Sequence, residues 1–159
     1  MRDGRVRPGS KAVSSRLRAA GGADYDGVVS LLRAAELPTA GLQRSLPDFV
    51  VAEEGGRLVG AIGLEVYGDA ALLRSAVVDP TRRGTGLGRD LVARLLEHAA
   101  RRGVREVFLL TTTAERYFPR FGFAPIPREA VASPVRASEE FRGACPDSAI
   151  AMRKVLEPA

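Results

Sequence analysis

A glycine-rich segment, Arg83-Gly84-Thr85-Gly86-Leu87-Gly88, lies between an apolar strand-like run and a long amphipathic helix pattern. Glycines at alternate positions let the backbone approach a ligand without an intervening Cβ. Such a loop at a helix N-terminus presents unpaired N–H groups together with the positive end of the helix dipole. Arg82, Arg83 and Arg89 add mobile positive charge beside it. We therefore predict a phosphate-binding loop at the start of this helix.

The spacing of the glycines excludes two common nucleotide-binding loops. A dinucleotide-binding fingerprint needs G-x-G-x-x-G, but Gly84-x-Gly86 is followed by Arg89, and Gly86-x-Gly88 by Leu91. A Walker loop needs Gly-Lys-Ser/Thr, which the sequence lacks. The arginine content and the position at a helix start favour a ligand site over a plain glycine-rich turn.

Hydrophobic periodicity predicts a single α+β domain around this loop. Helical spacing of apolar residues predicts a helix over residues 86–102, ended by Gly103, and an earlier helix with Asp24 as its N-cap. Strands are predicted over residues 16–20, 49–53, 57–67, 71–78, 104–110 and 148–156. Because a full helix separates the strands at 71–78 and 104–110, we expect these two to run parallel. The rest of the mixed sheet should be largely antiparallel, with helices on both faces.

Alternation along residues 57–67 divides that strand into two predicted faces. One face carries Leu58, Ile62, Leu64 and Val66. The other carries Val59, Ala61, Gly63, Glu65 and Tyr67. The second face is mostly small and holds one carboxylate, so it could line a pocket.

The positive charge of the chain is concentrated at its start. The 159 residues have a formal net charge of +5, yet residues 1–18 hold six basic residues against one acidic residue, which leaves 18 of each sign elsewhere. We expect residues 1–15 to be a disordered basic tail and residues 16–159 to form one domain. Aromatic residues do not interleave with the arginines of the tail, so nucleic acid is not an expected partner.

Cysteine usage and hydropathy set the expected compartment. Cys145 is the single cysteine, which excludes an internal disulfide and favours a cytoplasmic location. The sequence has no apolar run near the roughly 18–20 residues that span a bilayer. No apolar signal-type segment follows the basic start. A membrane is therefore not an expected partner either.

These elements, taken in order, resemble the GNAT superfamily of N-acetyltransferases. The segment from Arg83 to Gly88 is similar to the acyl-CoA-binding signature of that family, an Arg or Gln followed by two residues and Gly-x-Gly. A strand ending in Val77-Val78-Asp79-Pro80 precedes it, a long helix follows, and Gly122-Phe123 comes downstream. The resemblance covers residues 16–156. It implies a sheet that splays at its parallel strand pair, with acetyl-CoA as co-substrate and no metal.

Four shorter segments resemble acetyltransferases associated with arsenic resistance. They are Leu37-Pro38-Thr39, Gly63-Leu64-Glu65, Leu72-Leu73-Arg74-Ser75 and Cys145-Pro146. Relatives of that group acetylate amino-acid analogues such as phosphinothricin. This narrower resemblance implies an amino acid or an analogue as the acceptor.

The resemblance also implies which residues contact acetyl-CoA. They are Val77, Val78, Arg83, Gly84, Thr85, Gly86, Leu87, Gly88 and Arg89. Val77 and Val78 would contact the pantetheine arm and the acetyl group, and the amides of residues 83–88 would bind the pyrophosphate. An N–H near Val78 would stabilise the developing oxyanion.

Direct transfer to an amine needs a base and is helped by an acid for the leaving thiolate. Glu65 is the candidate base because its strand face is otherwise mostly small. Glu53 is the weaker candidate, and an exposed strand carboxylate is the plain alternative. The usual acid is a tyrosine four residues before Gly-Phe, where this chain has Phe118. Tyr117 is the candidate acid, although one helical step turns it by about 100°, and an outward or core-packed side chain is the alternative.

The sequence also suggests assignments for four further residues. Arg74, with Ser75, is a candidate substrate-binding residue because a guanidinium can bind an acceptor carboxylate. Cys145 is expected to be a small buried residue, since trivalent arsenic prefers several thiolates. His98 lies on the polar side of the predicted helix and should be solvated.

The predicted function is acetyl-CoA-dependent N-acetylation of the primary amine of a small molecule, an amino acid or an analogue. Two alternatives stay open. One is protein or peptide N-acetylation. The other is an acyl-CoA-binding sensor without catalysis, suggested by Phe118. A homodimer is compatible with the sequence.

Overall fold

The computed structural model describes residues 15–138, 140–144 and 148–157. Cys145 and the predicted tail, except Ser15, lie outside the described residues. The strands are β1 Arg16–Ala19, β2 Phe49–Glu54, β3 Arg57–Tyr67, β4 Ala70–Val78, β5 Glu106–Thr111, β6 Ala124–Pro125 and β7 Ile150–Val155. The helices of at least one α-turn are α1 Tyr25–Ala34, α2 Leu42–Ser45, α3 Leu87–Arg101 and α4 Ser133–Arg136.

The strands form one seven-stranded sheet in the order β1-β2-β3-β4-β5-β7-β6. All neighbouring pairs are antiparallel except β4 and β5, which run parallel as predicted. These two strands pair only where Ala70–Leu72 faces Glu106–Phe108. Beyond Leu72 no further residue pair joins the two strands, which shows that they separate there. The predicted mixed α+β fold with a splayed parallel pair is confirmed.

The two faces of the sheet are covered by different helices. On one face α3 buries Leu91, Val92 and Leu95, each at 2% exposure or less. On the other face α1 packs Val28 and Leu32 against the sheet. Burying a side chain of this size stabilises the fold by about 1.5–3 kcal/mol. The apolar stripe of α3 therefore fixes that helix, and with it the glycine-rich loop, on the sheet.

The prediction for the two faces of β3 is wrong at Leu58 and Val59. Between the pairs Ala52↔Gly60 and Glu53↔Leu58, β3 carries an extra residue. A β-bulge of this kind interrupts the alternation of side chains. Leu58 consequently packs with the α1 cluster and Val59 with the α3 cluster.

Of two local predictions about charged side chains, one holds in part and one is wrong. Asp24 is the N-cap residue of α1 as predicted, but its carboxylate makes no cap hydrogen bond there and instead accepts from the Gly21 amide at 2.8 Å and pairs with Arg18. His98 is half-buried, and its Nε2 lies 2.8 Å from Oδ1 of Asp48. The partners of both side chains lie outside the helices α1 and α3, so helical periodicity does not reveal them.

The segment after β5 contains little helix. Only a 3-10 turn at Phe118–Phe121 is present before Gly122, and Pro119 lies at its start. Within the part of the chain that the structure describes, no helix has the length and apolar character required to cross a membrane.

Candidate active site

An open cleft of about 1190 Å³ begins where β4 and β5 separate. One end is formed by the glycine-rich loop and the first turn of α3. The other end is closed by residues 37–40, which link α1 to α2, together with Glu140. Residues 73–78 of β4 and 109–114 at the end of β5 line the length between them. The cleft thus joins an anion-binding end to a second, acceptor end.

The glycine-rich loop has the backbone conformation that its composition predicts. Gly84 and Gly86 have φ angles of 79° and 88°, in the left-handed region that side chains disfavour. Gly86 is the N-cap of α3 and provides no side-chain cap hydrogen bond. The N–H groups of the first helical turn therefore have no side-chain acceptor at the cap and face an end of the cleft. This arrangement suits a phosphate group.

Most of the predicted cofactor residues line the cleft. They are Val77, Val78, Arg83, Gly84, Gly86, Leu87, Gly88 and Arg89. Thr85 is not among the lining residues, and its hydroxyl donates to the carbonyl of Arg82 at 2.6 Å. Thr85 therefore stabilises the turn of the loop.

Gly88 leaves a gap that the side chain of any other residue would fill. A Cβ atom here would lie 3.3 Å from the hydroxyl of Tyr117 and 3.7 Å from Cγ2 of Val78. These two side chains approach the cleft from β4 and from the turn after β5. Gly88 therefore lets the backbone of α3 approach the cleft without a side chain beside these two residues, which suits a closely bound acyl-CoA.

Arg82 is less mobile than the sequence suggested. Its Nε donates to both carboxylate oxygens of Glu54 at 2.8 Å, and Nη2 also contacts Glu54. Hydrogen bonds from Arg82 and then Ser15 lower the pKa of Glu54 to about 2. Arg83 and Arg89 are exposed at the mouth of the cleft, where Arg89 lies 3.6 Å from Asp90. The solvent-facing charge at the loop thus comes from Arg83 and Arg89.

Tyr117 and Phe118 both line the cleft, but only Tyr117 carries a hydroxyl there. Phe118 is 6% exposed and contacts the ring of Phe123 edge-on at 5.7 Å. The ring of Tyr117 lies under the Arg120 guanidinium at 4.7 Å, and burial raises the pKa of its hydroxyl. The phenol that borders the cleft is therefore that of Tyr117.

Glu65 and Arg74 form a buried ion pair at the acceptor end. Nη1 of Arg74 donates to Oε2 of Glu65 at 2.6 Å, and the hydroxyl of Tyr67 donates to Oε1 at 2.5 Å. Burial, and then this hydrogen bond to Glu65, raise the pKa of Tyr67. Arg74 lines the cleft, whereas Glu65 lies behind it and is not a lining residue. Both oxygens of the predicted base therefore accept hydrogen bonds from neighbouring side chains.

Ser75 lies in a strained bulge of β4 that sequence patterns did not indicate. Between the pairs Ala61↔Val77 and Gly63↔Arg74, β4 has one residue more than β3. Ser75 has φ = 62°, which is uncommon for a residue with a side chain. Its hydroxyl accepts a hydrogen bond from Nε of Arg74 at 2.8 Å. The predicted pair Arg74 and Ser75 is thus joined and lies at the cleft.

Two further residues line the cleft, and of these Glu140 was missed as an individual candidate. Glu140 lies in the irregular segment after α4, and its Oε2 is 3.8 Å from Nε of Arg74. Thr111 ends β5, and its hydroxyl accepts from the amide of Ala114 at 2.9 Å, which shapes the turn before Tyr117. Irregular polar sequence around Glu140 offered no periodic signal by which to select it.

Sequence comparisons agree with this geometry. The model of the acetyltransferase (GNAT) family matches residues 25–123. An amino-acid acetyltransferase of Aeromonas salmonicida is 30% identical over 122 residues, which cover 71% of this chain and 28% of that protein. An amino-acid acetyltransferase of Mycobacterium tuberculosis is 37% identical over 89 residues, covering 54% of this chain and 51% of that protein. The chain thus matches between about a quarter and a half of the length of these relatives.

Solved structures share the fold. The N-acetylglutamate synthase of Neisseria gonorrhoeae, complexed with coenzyme A and N-acetyl-glutamate, superposes with a TM-score of 0.78 at 19% identity, covering 98% of this chain and 37% of that one. Rv2747 of Mycobacterium tuberculosis, in complex with CoA and NLQ, gives a TM-score of 0.76 at 26% identity, covering 89% and 99%. The residues that match the family model include the glycine-rich loop, α3 and most of the residues that line the cleft. The chain therefore belongs to the acetyltransferase (GNAT) family.

Proposed function

We propose that this chain transfers an acetyl group from acetyl-CoA to the primary amine of an amino acid. The observation that carries the proposal is the cleft that opens where β4 and β5 separate and that ends at the uncapped N-terminus of α3. Membership of the acetyltransferase family supports the reaction type. The amino-acid acetyltransferases among its relatives support the acceptor class.

At the anion-binding end, backbone groups do most of the binding. The first-turn amides of α3 and the loop at Gly84 and Gly86 would hold the pyrophosphate, helped by the exposed charges of Arg83 and Arg89. Val77 and Val78 lie on the part of β4 that β5 has left unpaired. Their backbone groups are free of a β5 ladder and would pair with the pantetheine arm, while an amide near Val78 would stabilise the oxyanion.

At the acceptor end, the reaction needs a deprotonated amine. The C–N bond forms as the C–S bond breaks, the amine loses a proton, and the thiolate gains one. Glu65 stays the predicted base, and its engaged carboxylate would then have to act through a water or after a shift of Arg74. Tyr117 is the proposed acid, because its hydroxyl borders the cleft beside α3 and is protonated at neutral pH, with a pKa that burial raises above the ordinary value near 10.

The proposal is tested by steady-state release of CoA thiol with a panel of amino acids. Turnover of at least one amino acid by the wild-type chain, with loss in a Gly86→Glu variant, is the expected result. CoA binding without turnover of any amine would support the sensor instead. Turnover of peptide N-termini in preference to free amino acids would support peptide acetylation.

The identity of the acceptor within this class and the oligomeric state of the chain are also proposals. The segments that resemble arsenic-resistance acetyltransferases motivate including phosphinothricin and an arsenic-containing amino-acid analogue in the panel. A specificity constant for either above that of the common amino acids would identify a resistance enzyme. Light scattering at assay concentration tests the homodimer.

A further inference from the structure

Arg74 is hydrogen-bonded to four residues from three parts of the chain at the acceptor end of the cleft. Its side chain has no exposed surface. Nε donates to Ser75, and Nη1 donates to Glu65. Nη1 also donates to the carbonyl of Ala40, and Nη2 donates to the carbonyl of Pro38 at 3.1 Å. The guanidinium therefore joins β3 and β4 to the segment between α1 and α2.

That segment is a wall of the cleft without regular secondary structure. Residues 37–40 lie after the end of α1 and before α2, and all four line the cleft. A short irregular segment has no helix or strand ladder to hold its carbonyls. In the wall, two of these carbonyls accept hydrogen bonds from one guanidinium. The position of the wall relative to β4 therefore depends on Arg74.

The charges around Arg74 disfavour a further carboxylate there. Oε2 of Glu65 is 2.6 Å from Nη1, and Oε2 of Glu140 is 3.8 Å from Nε. Both carboxylates are buried, with side chains less than 10% exposed. Arg44 adds a second guanidinium beside Glu65, since its Nη2 lies 3.8 Å from the point that a Cβ atom on Gly41 would occupy, and Oε2 of Glu65 lies 3.7 Å from that point. An acceptor carboxylate at Arg74 itself would be the third negative group around that guanidinium.

We propose that Arg74 is a positioning residue that sets acceptor specificity by holding the wall at residues 37–40. This rests on the proposed function, and it assigns Arg74 a different role from direct binding of the acceptor carboxylate. The planar fork of Arg74 reaches four acceptors through three separate nitrogens, whereas Lys has three donors on one nitrogen and cannot reproduce this geometry. Arg74→Lys thus keeps the charge and removes the fork.

Arg18 offers a matched control. It also bonds to two carboxylates, Asp24 and Glu53, and to a backbone carbonyl, that of Ala19. It lies on β1, at the edge of the sheet, and does not line the cleft. Arg18→Lys therefore repeats the chemical change without affecting the wall.

The kinetic experiment compares the best amino-acid acceptor with its α-carboxamide in Arg74→Lys, Arg18→Lys and wild type. We expect Arg74→Lys to raise KM for both acceptors by about tenfold, with KM for acetyl-CoA unchanged and no change in Arg18→Lys. Equal losses for the two acceptors mean that Arg74 acts through the wall. A loss confined to the acceptor that carries a carboxylate would overturn the proposal, because Arg74 would then bind that group directly.

A second measurement needs no turnover. Hydrogen–deuterium exchange of the peptide that contains residues 37–41 should be at least about tenfold faster in Arg74→Lys than in wild type or Arg18→Lys. Unchanged exchange would refute the positioning role, even if the chain acetylates no amino acid. Should Arg74→Lys fail to unfold cooperatively, Arg74→Met with Glu65→Gln removes both charges of the pair and is measured in its place.

Discussion

The hydroxyl of Tyr117 lies 3.3 Å from the point that a Cβ atom on Gly88 would occupy. The phenol and the first turn of α3 are thus two sides of one narrow gap in the cleft. The width of this gap depends on the absence of a side chain at Gly88. It brings together a residue of the predicted signature and the predicted acid, which lie in separate parts of the sequence.

Gly88→Ala should weaken acetyl-CoA binding without destabilising the fold. Alanine favours a helix over glycine by about 1 kcal/mol, so α3 should be at least as stable. The added methyl group narrows the gap beside Tyr117 and Val78. We expect KM for acetyl-CoA to rise at least about tenfold with an unchanged or higher Tm. Gly22→Ala, where a Cβ meets nothing within 4 Å, is the control.

Gly86→Glu should abolish CoA binding measured by calorimetry. The new carboxylate would lie at the helix N-terminus that is proposed to bind pyrophosphate, and like charges repel there. Because Gly86 has φ = 88°, any side chain also strains the backbone by about 1–2 kcal/mol. Gly86→Ala carries the same strain without the charge. Equal weakening in both variants would mean that the charge has no role, and wild-type affinity in Gly86→Glu would mean that the pyrophosphate site is placed wrongly.

Tyr117→Phe should lower kcat while the dissociation constant for CoA stays the same. An acid must be protonated, so its contribution is present below its pKa and lost as pH rises through it. Burial raises this pKa above its ordinary value near 10. In the wild type, the alkaline loss of kcat from this group should therefore begin only above that value. Tyr25→Phe in α1 is the control, and an unchanged kcat in Tyr117→Phe would assign proton donation to solvent.

Glu65→Gln tests whether the carboxylate of Glu65 is the general base of the reaction. If the Glu65 carboxylate removes the proton, kcat should fall and the acidic limb of its pH profile should flatten. Tyr67→Phe removes the hydrogen bond to Oε1 but keeps the carboxylate, so that variant should retain the limb. A Glu65→Gln variant with an unaltered acidic limb would leave Glu65 as the partner of Arg74 and transfer the base role elsewhere.

Glu54 should contribute to stability in a defined acidic range. Its pKa is lowered from 4.5 to about 2, chiefly by Arg82. A lowered pKa in the folded state adds stability above the unfolded value, and that stability is lost as pH falls from 4.5 through 2. Thermal unfolding of Glu54→Gln should therefore show a weaker pH dependence over this range. Glu97→Gln, on the exposed side of α3, should behave like the wild type.

Much of the fold and one end of the site follow from local sequence. The strand, loop and helix around Gly86 were predicted because glycine conformation, helix amphipathicity and capping act over a few neighbouring residues. The parallel relation of β4 and β5 followed from the length of the intervening helix. The predicted alternation of side chains between the two faces of β3 is wrong at Leu58. A β-bulge adds one residue there, and its effect appears only in the strand pairing.

The sequence by itself determined where the glycine-rich loop lies, in which order the elements occur and which two strands run parallel. Only the tertiary structure decided that Arg74 binds the carbonyls of Pro38 and Ala40, which lie 36 and 34 positions away. It also decided that the hydroxyl of Tyr117 borders the cleft beside Gly88. The physical reason is that loop conformation depends on neighbouring residues, whereas the partners of a buried charge are set by how distant segments pack together.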